Sequence, residues 1–429
     1  MLEYLKLENL KTKILQPGFQ RYFKNTSWMF LGQFFSLAVS FFVGTYIARY
    51  LGPENFGAMN YALSFVALFG FLAGFGVENI LNRELIKFPE KRDELLSAGF
   101  WLKLGGGLLA IIIINLVSWT FNQSYLIRLL IFIFSLTLVG QSFTVINIFF
   151  QSQVLAKKAV VIQLSVTLIS AILKLVLIGL NLGVIWLTAV YIFDSLTLAL
   201  GLLFIYYKNY KTFFYRQLNK GVVNLLLRDS WPIMLTAIAV TTYSKIDQIF
   251  IKQLLDTTAV GLYSVSARLT EACCFIPSII CASLFPSIVN ARDNQDNYLA
   301  RLKKLFLLIS LIAIFIALVL FVLAEPIIRL LFGTAYLLSV ATFKIYLWSI
   351  IPSFLMIVVN YYLIAENLTR LYLFITVLGA GLNIILNILL IPHYGILGSA
   401  LATLISYSAV PLSLLLFPVI RVKINKFQS

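Results

Sequence analysis

The sequence predicts an all-α integral membrane protein, with twelve transmembrane helices in two six-helix bundles around a central cleft. Three observations predict this class: the composition, the continuous apolar runs and a faint internal repeat. Of the 429 residues, 61% are hydrophobic and only 12% are charged, whereas a soluble protein carries about 25% charged residues. Polar groups cannot cover the surface of such a chain, so its main solvent must be lipid.

The apolar runs are continuous, as in "LLAIIIINLVSW" (108–119) and "LLISLIAIFIALVLFVLA" (307–324). A helix of about 20 apolar residues spans a bilayer, and a spanning segment must satisfy its own backbone hydrogen bonds. Continuous runs favour helices over the alternating strands of a barrel. The predicted spans are 27–48, 57–78, 98–118, 126–148, 160–180, 184–205, 232–254, 260–289, 302–323, 341–363, 371–391 and 396–419.

The first break between spans is "LGPENFG" (51–57). Pro53 and Gly57 predict a short turn there, because both residue types stop helices. Small residues predict close helix packing at two other places. These are the GxxxG pair Gly70 and Gly74, and the small face formed by Gly395, Gly398, Ser399, Ala400 and Ala402.

Lysine and arginine in the loops predict the orientation. Twenty-four of them fall on the side of the two termini, and three, Arg49, Lys252 and Arg329, fall on the other side. The termini are therefore expected in the cytoplasm. This asymmetry accounts for most of the net charge of +16, so we expect no nucleic-acid partner.

The segments outside the spans divide the chain. Residues 1–26 lack the apolar core of a cleavable signal peptide and predict an amphipathic cytoplasmic helix on the membrane surface, with a frayed tail as the alternative. The predicted regions are the segment 1–26, an N-terminal lobe 27–205, a cytoplasmic linker 206–231, a C-terminal lobe 232–420 and a cytoplasmic tail 421–429.

A repeat relates the two halves at a shift of about 204 to 212 residues. Its matches are Ser27-Trp28 with Ser230-Trp231, Leu51 and Gly57 with Leu255 and Gly261, and Gly183 with Gly395. Six spans per half is an even number, so the repeats are parallel. Two such bundles leave a cleft that rocking exposes to each side in turn, which is typical of transporters.

Two motifs carry a resemblance to a known family. "ARYLGPENFGAMNYALSFVALFGFLAGFGVENILNRELIK" (48–87) and "YGILGSALATLISYS" (394–408) resemble the N- and C-terminal signatures of the polysaccharide-biosynthesis (O-antigen, Wzx-type) flippases. These belong to the multidrug/oligosaccharidyl-lipid/polysaccharide (MOP) exporter superfamily. The resemblance implies that an oligosaccharide on undecaprenyl diphosphate, from O-antigen, lipopolysaccharide or capsule, moves from the inner to the outer leaflet of the bacterial inner membrane. It also implies partners among membrane lipids and other polysaccharide-assembly proteins.

Charged residues at membrane depth are costly and usually face a cavity. The candidates for contact with the diphosphate or glycan are Arg268, Lys245, Lys174 and Lys344, since arginine can hold phosphate with two hydrogen bonds and lysine as a point charge. Lys344 lies near the end of a span. For Lys344, as for Lys103 and Arg128, an interfacial anchor is the alternative.

The acids at depth are Asp247, Glu271 and Asp194. Asp247 needs a cation, such as Arg268, or a proton. We interpret it as the first candidate for coupling transport to a proton or sodium gradient, as in an antiporter. The alternative for all six deep charges is an internal ion-pair network, in which Arg268 and Glu271 pair at i, i+3.

We expect no catalytic residue, no metal site and no cofactor apart from the coupling ion. The sequence has no Walker A motif, and its single histidine and three cysteines suggest no ligand set. A drug or cation exporter of the same superfamily is one alternative, although it predicts an acidic cleft. A membrane enzyme of polysaccharide assembly is the other, although it predicts a large outer loop.

Overall fold

The computed structural model describes residues 17–121, 124–212, 214–366 and 368–413. Residues 1–16 of the predicted surface segment 1–26, and the whole tail 421–429, lie outside this range. The described chain is helical, and short 3₁₀ turns join some of its helices. The first half holds α1 (Pro17–Leu68), α2 (Gly70–Gly74), α3 (Val77–Lys87), α4 (Arg92–Thr120), α5 (Tyr125–Gly140), α6 (Thr144–Ser152), α7 (Ala156–Gly179) and α8 (Val184–Tyr210).

The second half holds nine helices in the described residues. They are α9 (Lys220–Leu254), α10 (Thr257–Cys273), α11 (Phe275–Val289), α12 (Gln295–Val322), α13 (Ala324–Leu331), α14 (Ser339–Tyr346), α15 (Ile350–Ala365), α16 (Thr369–Tyr394) and α17 (Ile396–Ser413). Eleven segments of the described chain are long and apolar enough to cross a membrane. The chain is therefore an all-helical, multi-pass membrane protein.

The count of eleven differs from the predicted twelve because α1 contains the first predicted span, 27–48, and the first part of the second, 57–78, whose remainder falls in α2 and the start of α3. The segment Lys24–Leu68 of α1 is 45 residues long, and only Gly52 within it is non-helical, with φ of 69°. The positive φ suits glycine, and Pro53 begins the next helical stretch, where proline is favoured. Gly57 is helical, so the prediction that it forms part of the turn is wrong.

The two halves meet on the face opposite the N-terminus through a reciprocal contact. A Cβ atom at Gly57 would overlap the carbonyl oxygen of Thr257, and one at Gly261 would overlap that of Pro53. The same shift of 204 residues relates Pro53 to Thr257 and Gly57 to Gly261. Beside this crossing, the Tyr336 hydroxyl donates to the Ala48 carbonyl over 2.8 Å. The glycines let α1 and α10 pack backbone to backbone.

On the face of the molecule where the N-terminus lies, the segment before α9 and the first turns of α9 pack against the first half. Leu226 is buried in an apolar cluster with Leu85, Phe100 and Tyr206. An ion pair of 2.7 Å joins Arg83 and Asp229, and nearby the Asn219 amide donates to Glu94 over 2.7 Å. α9 itself crosses the predicted linker boundary at residue 231 without a break.

The two predictions of close helix packing at small residues have different outcomes. A Cβ atom at Gly398 would overlap the Leu390 carbonyl, so this glycine allows the close packing of α16 and α17. Nothing lies within 4 Å of a Cβ atom at Gly70 or Gly74. The packing prediction for that GxxxG pair is wrong, because both glycines of the short α2 face open space.

Candidate functional site

Three pockets meet along α10. The first-half pocket, about 430 Å³, lies among α1, α5, α7 and α8 and is closed by Arg268. The tyrosine pocket, about 440 Å³, lies in the second half and includes Glu271 in its wall. The side pocket, about 600 Å³, separates α1 from α10 and α11 and contacts both Arg268 and Glu271. These two residues, one helical turn apart, therefore join all three pockets.

Arg268 reaches across from α10 to the backbone of α1. Its Nη2 donates to the Ser40 carbonyl over 2.5 Å, and a Cβ atom at Gly44 would overlap the guanidinium. Its Nε is buried with no hydrogen-bond partner among the described residues. Within the described chain no acid lies at ion-pair distance, so the i, i+3 pair with Glu271 is not formed here. The charge of Arg268 is thus available to a ligand.

Lys174 and Asp194 meet in the wall of the first-half pocket. Lys174 Nζ lies 3.2 Å from Asp194 Oδ2 and 4.1 Å from the ring centroid of Tyr191, which adds a cation–π contact. The Ser170 hydroxyl donates to the same carboxylate oxygen over 2.7 Å. This wall therefore carries a charge pair whose lysine is buried.

Lys245 and Lys344 lie in different surroundings. Lys245 Nζ is 3.1 Å from Glu271 Oε1, and the side chains are 30% and 49% exposed, so the pair neutralises the tyrosine pocket without being buried. Lys344 Nζ lies 5.2 Å above the ring of Phe321 and is not in the walls of the three pockets described above.

Asp247 is 3% exposed and is held by neutral groups. Its Oδ2 accepts hydrogen bonds from the Tyr263 hydroxyl at 2.5 Å and the Thr403 hydroxyl at 2.7 Å. Its Oδ1 accepts one from the Asn387 amide at 2.8 Å. The sequence led us to expect Arg268, another cation or a proton beside this carboxyl. Arg268 instead contacts α1, so the carboxyl lies in a neutral cage.

The rest of this cage is not among the residues predicted from the sequence. The Asn387 amide also donates to the Asn383 side chain over 3.1 Å, and the Ser399 hydroxyl donates to Asn387 Oδ1 over 2.7 Å. Two asparagines four residues apart in the apolar run "GLNIILNILL" (381–390) are a signal that could have identified it, because an amide at membrane depth needs a partner. Ser399 was assigned only to helix packing.

The polysaccharide biosynthesis protein family matches residues 46–341. The chain belongs to this family. The match covers more than half of the sequence and confirms the resemblance found from the two motifs.

Two archaeal proteins match part of the chain. One is named "Probable flippase AglR", from Haloferax volcanii, and is 31% identical over 38% of this chain and 36% of its own length. The other is an uncharacterized membrane protein of Methanocaldococcus jannaschii, 29% identical over 46% of each chain. This chain thus spans less than half of the length of these relatives.

Solved structures share the fold across almost the whole chain. A lipid II flippase MurJ in an inward closed conformation aligns with a TM-score of 0.74 at 19% identity, covering 93% of this chain and 89% of that one. An inward-facing multidrug MATE transporter of the MOP superfamily aligns with a TM-score of 0.66 at 14% identity, covering 93% and 96%. At these identities the similarity establishes a MATE- and MurJ-like fold.

Proposed function

We propose that this protein is a flippase that moves an oligosaccharide on a polyprenyl diphosphate, such as undecaprenyl diphosphate, from the inner to the outer leaflet. Family membership supports a role in polysaccharide biosynthesis, and one partial relative is named a probable flippase. The observation that carries the proposal is the position of Arg268. Its guanidinium has no acid partner in the described chain and lies where the polar first-half pocket meets the side pocket.

A lipid-linked glycan needs three kinds of surface close together, for its phosphates, its sugars and its apolar chain. Arg268 suits a phosphate, because a guanidinium can donate two parallel hydrogen bonds to it. Phe34, Leu37 and Phe41 of α1 line the side pocket beside Arg268, and Phe275 of α11 faces them. In this proposal Arg268 binds the diphosphate, and the first isoprene units of the polyprenyl chain lie against this apolar wall.

Transport in this proposal occurs by alternating access of two lobes, 27–205 and 232–420, joined by the linker 206–231. Counting α1 as two spans on either side of Gly52 gives twelve spans, with both termini in the cytoplasm. The Gly57–Gly261 crossing then closes the outer side. This arrangement would receive substrate from the inner leaflet and release it after the crossing opens.

Ion coupling in this proposal acts through Asp247. A buried carboxyl with only neutral partners can take a proton, and the oxygens around it suit a hard cation such as sodium. Asp194 and Glu271, in contrast, are paired with lysines. We therefore propose Asp247 as the coupling residue, with proton or sodium as the ion.

Reconstituted vesicles with a fluorescent polyprenyl-diphosphate glycan test the proposal. Arg268→Ala should abolish flipping while the protein still inserts into the membrane. Arg268→Lys should retain only part of the wild-type flipping, because lysine cannot donate two parallel hydrogen bonds to a phosphate. The matched control is Arg128→Ala, since Arg128 stacks 5.1 Å from the Trp119 ring, away from the three pockets. Full activity of Arg268→Ala would overturn the assignment, and export of a cationic drug without lipid flipping would favour the drug-exporter alternative.

A further inference from the structure

The tyrosine pocket has a chemistry different from that of the other two pockets. Its wall carries four tyrosines, Tyr243, Tyr346, Tyr372 and Tyr407, and its only charged residues within the described chain are the paired Lys245 and Glu271. We infer that this pocket binds a neutral sugar ring of the transported glycan. The inference rests on the flippase function proposed above and adds a glycan subsite to it.

The pocket is preformed. The rings of Tyr243 and Tyr407 stack with centroids 4.2 Å apart and an interplanar angle of 20°, which fixes one wall. Its volume of about 440 Å³ lies within the range of small-ligand sites, about 300–1,000 Å³. Tyrosines offer a sugar both an apolar ring face for its C–H groups and a hydroxyl for hydrogen bonding.

Three buried polar atoms in this wall have no hydrogen-bond partner within the described residues. They are the hydroxyls of Tyr243 and Thr270 and the amide oxygen of Asn360. Thr270 is 3% exposed. Buried polar groups are nearly always hydrogen-bonded in folded proteins, to protein, water or ligand, so these three are groups that the hydroxyls of a sugar can satisfy in place of water.

These features select among ligand classes. An alkyl chain would leave all three polar atoms unpaired, whereas a polyhydroxyl ring can satisfy them. A cation would find no net negative charge in this wall, because Glu271 is held by Lys245 at 3.1 Å, and the ammonium of Lys245 would repel it. A neutral sugar therefore fits the pocket better than a lipid tail or a cationic drug.

The position of the pocket fits a sugar attached to a diphosphate at Arg268. Glu271 lies in the wall of both the tyrosine pocket and the side pocket. It follows Arg268 by three residues on α10, a rise of about 4.5 Å along a helix. The side pocket, which both residues line, thus connects Arg268 with the wall of the tyrosine pocket, and a sugar attached to the diphosphate would enter by this route.

Affinity measurements in detergent test the inference. They compare bare polyprenyl diphosphate with polyprenyl diphosphates that each carry one sugar, which is a hexose, an N-acetylhexosamine or a uronic acid. The neutral glycolipids should bind the wild-type protein more tightly than the bare lipid. Thr270→Val and Tyr243→Phe should each weaken the glycolipids by about three- to tenfold and leave the bare lipid unchanged. Both substitutions delete an unpaired hydroxyl while keeping the shape.

The matched control is Thr342→Val, because the Thr342 hydroxyl is also buried without a partner in the described chain but is outside the wall of the pocket. It should change neither affinity. If the glycolipids bind no better than the bare lipid, or if their advantage survives Thr270→Val, the sugar subsite is wrong and the flippase proposal stands. If the wild-type protein binds no polyprenyl diphosphate at all, both proposals fail.

Discussion

Asp194 and Asp247 are acids of membrane-spanning helices, one in each half of the molecule, and their hydrogen-bond partners differ in charge. Asp194 accepts hydrogen bonds from Lys174 and Ser170 in the wall of the first-half pocket. Asp247 is more deeply buried and accepts hydrogen bonds only from uncharged groups among the described residues: Tyr263, Asn387 and Thr403.

The difference is whether a cation lies beside the carboxyl group. Lys174 supplies Asp194 with the opposite charge that a carboxylate at membrane depth otherwise lacks. Hydroxyls and amides donate hydrogen bonds to Asp247 without supplying an opposite charge, which in the proposed coupling comes from a proton or a small cation. In the proposed function, the acid of the first half is thus part of a fixed pair, and the acid of the second half responds to an ion gradient.

The largest expected effect that tests this comparison is in Asp247→Asn. Asparagine keeps the shape and can hydrogen-bond to the same neighbours, but it neither titrates nor attracts a cation. We expect the variant to fold and bind lipid, and its flipping in vesicles to lose all response to an imposed proton or sodium gradient. Asp194→Asn is the control and should keep that response.

A gradient response that persists in Asp247→Asn would remove the coupling role. A response lost equally in Asp194→Asn would show that the two halves do not divide these tasks, and that any deep acid matters. Separate proton and sodium gradients identify the ion.

The sequence alone predicted the helical membrane class and the position of most spans. Hydropathy determines these features locally, so no partner needs to be known. The cage of Asp247 could not be predicted, because Asn387 and Thr403 lie on helices 140 and 156 residues away in sequence. The pairing of Lys174 with Asp194, and the turn of Arg268 toward Ser40, also depend on how helices pack.

The second prediction concerns the crossing that joins the halves. Gly57→Ala should place a methyl group against the Thr257 carbonyl. This should raise the free energy of the closed arrangement, in which α1 and α10 are in contact, by about 1–3 kcal/mol, and so lower its population by roughly tenfold. Gly261→Ala should do the same, because the contact is reciprocal.

The measurement uses the Ser64→Cys variant in a background without native cysteines, labelled with a membrane-impermeant thiol reagent. Ser64 lies between the halves, where its hydroxyl donates to the Gln248 side chain. Both alanine variants should increase labelling from the face opposite the termini. Gly70→Ala is the control, since nothing lies within 4 Å of a Cβ atom there. An effect of only one of the two glycines would show that the halves are not equivalent at this contact.

The third prediction compares the two lysine–acid pairs by thermal unfolding in detergent. Lys174→Ala should cost about 2–4 kcal/mol, because it leaves Asp194 partly buried without a cation, and the Lys174→Met, Asp194→Leu double variant should recover most of that. Lys245→Ala should cost less than about 1 kcal/mol, because its pair with Glu271 is largely exposed. Equal losses would mean that the first-half pair is no better shielded from water than the second-half pair.

The smallest effect is expected at Lys344, the candidate that the structure places apart from the three pockets. Its ammonium lies over the ring of Phe321, a partly exposed contact worth about 0.5–1 kcal/mol. Lys344→Met keeps the apolar stem and removes only the charge, so flipping should stay within about twofold of wild type. Lys174→Met, the same change in the first-half pocket, should impair flipping strongly. If Lys344→Met abolishes flipping instead, Lys344 takes part in transport although it lies outside the walls of the three pockets.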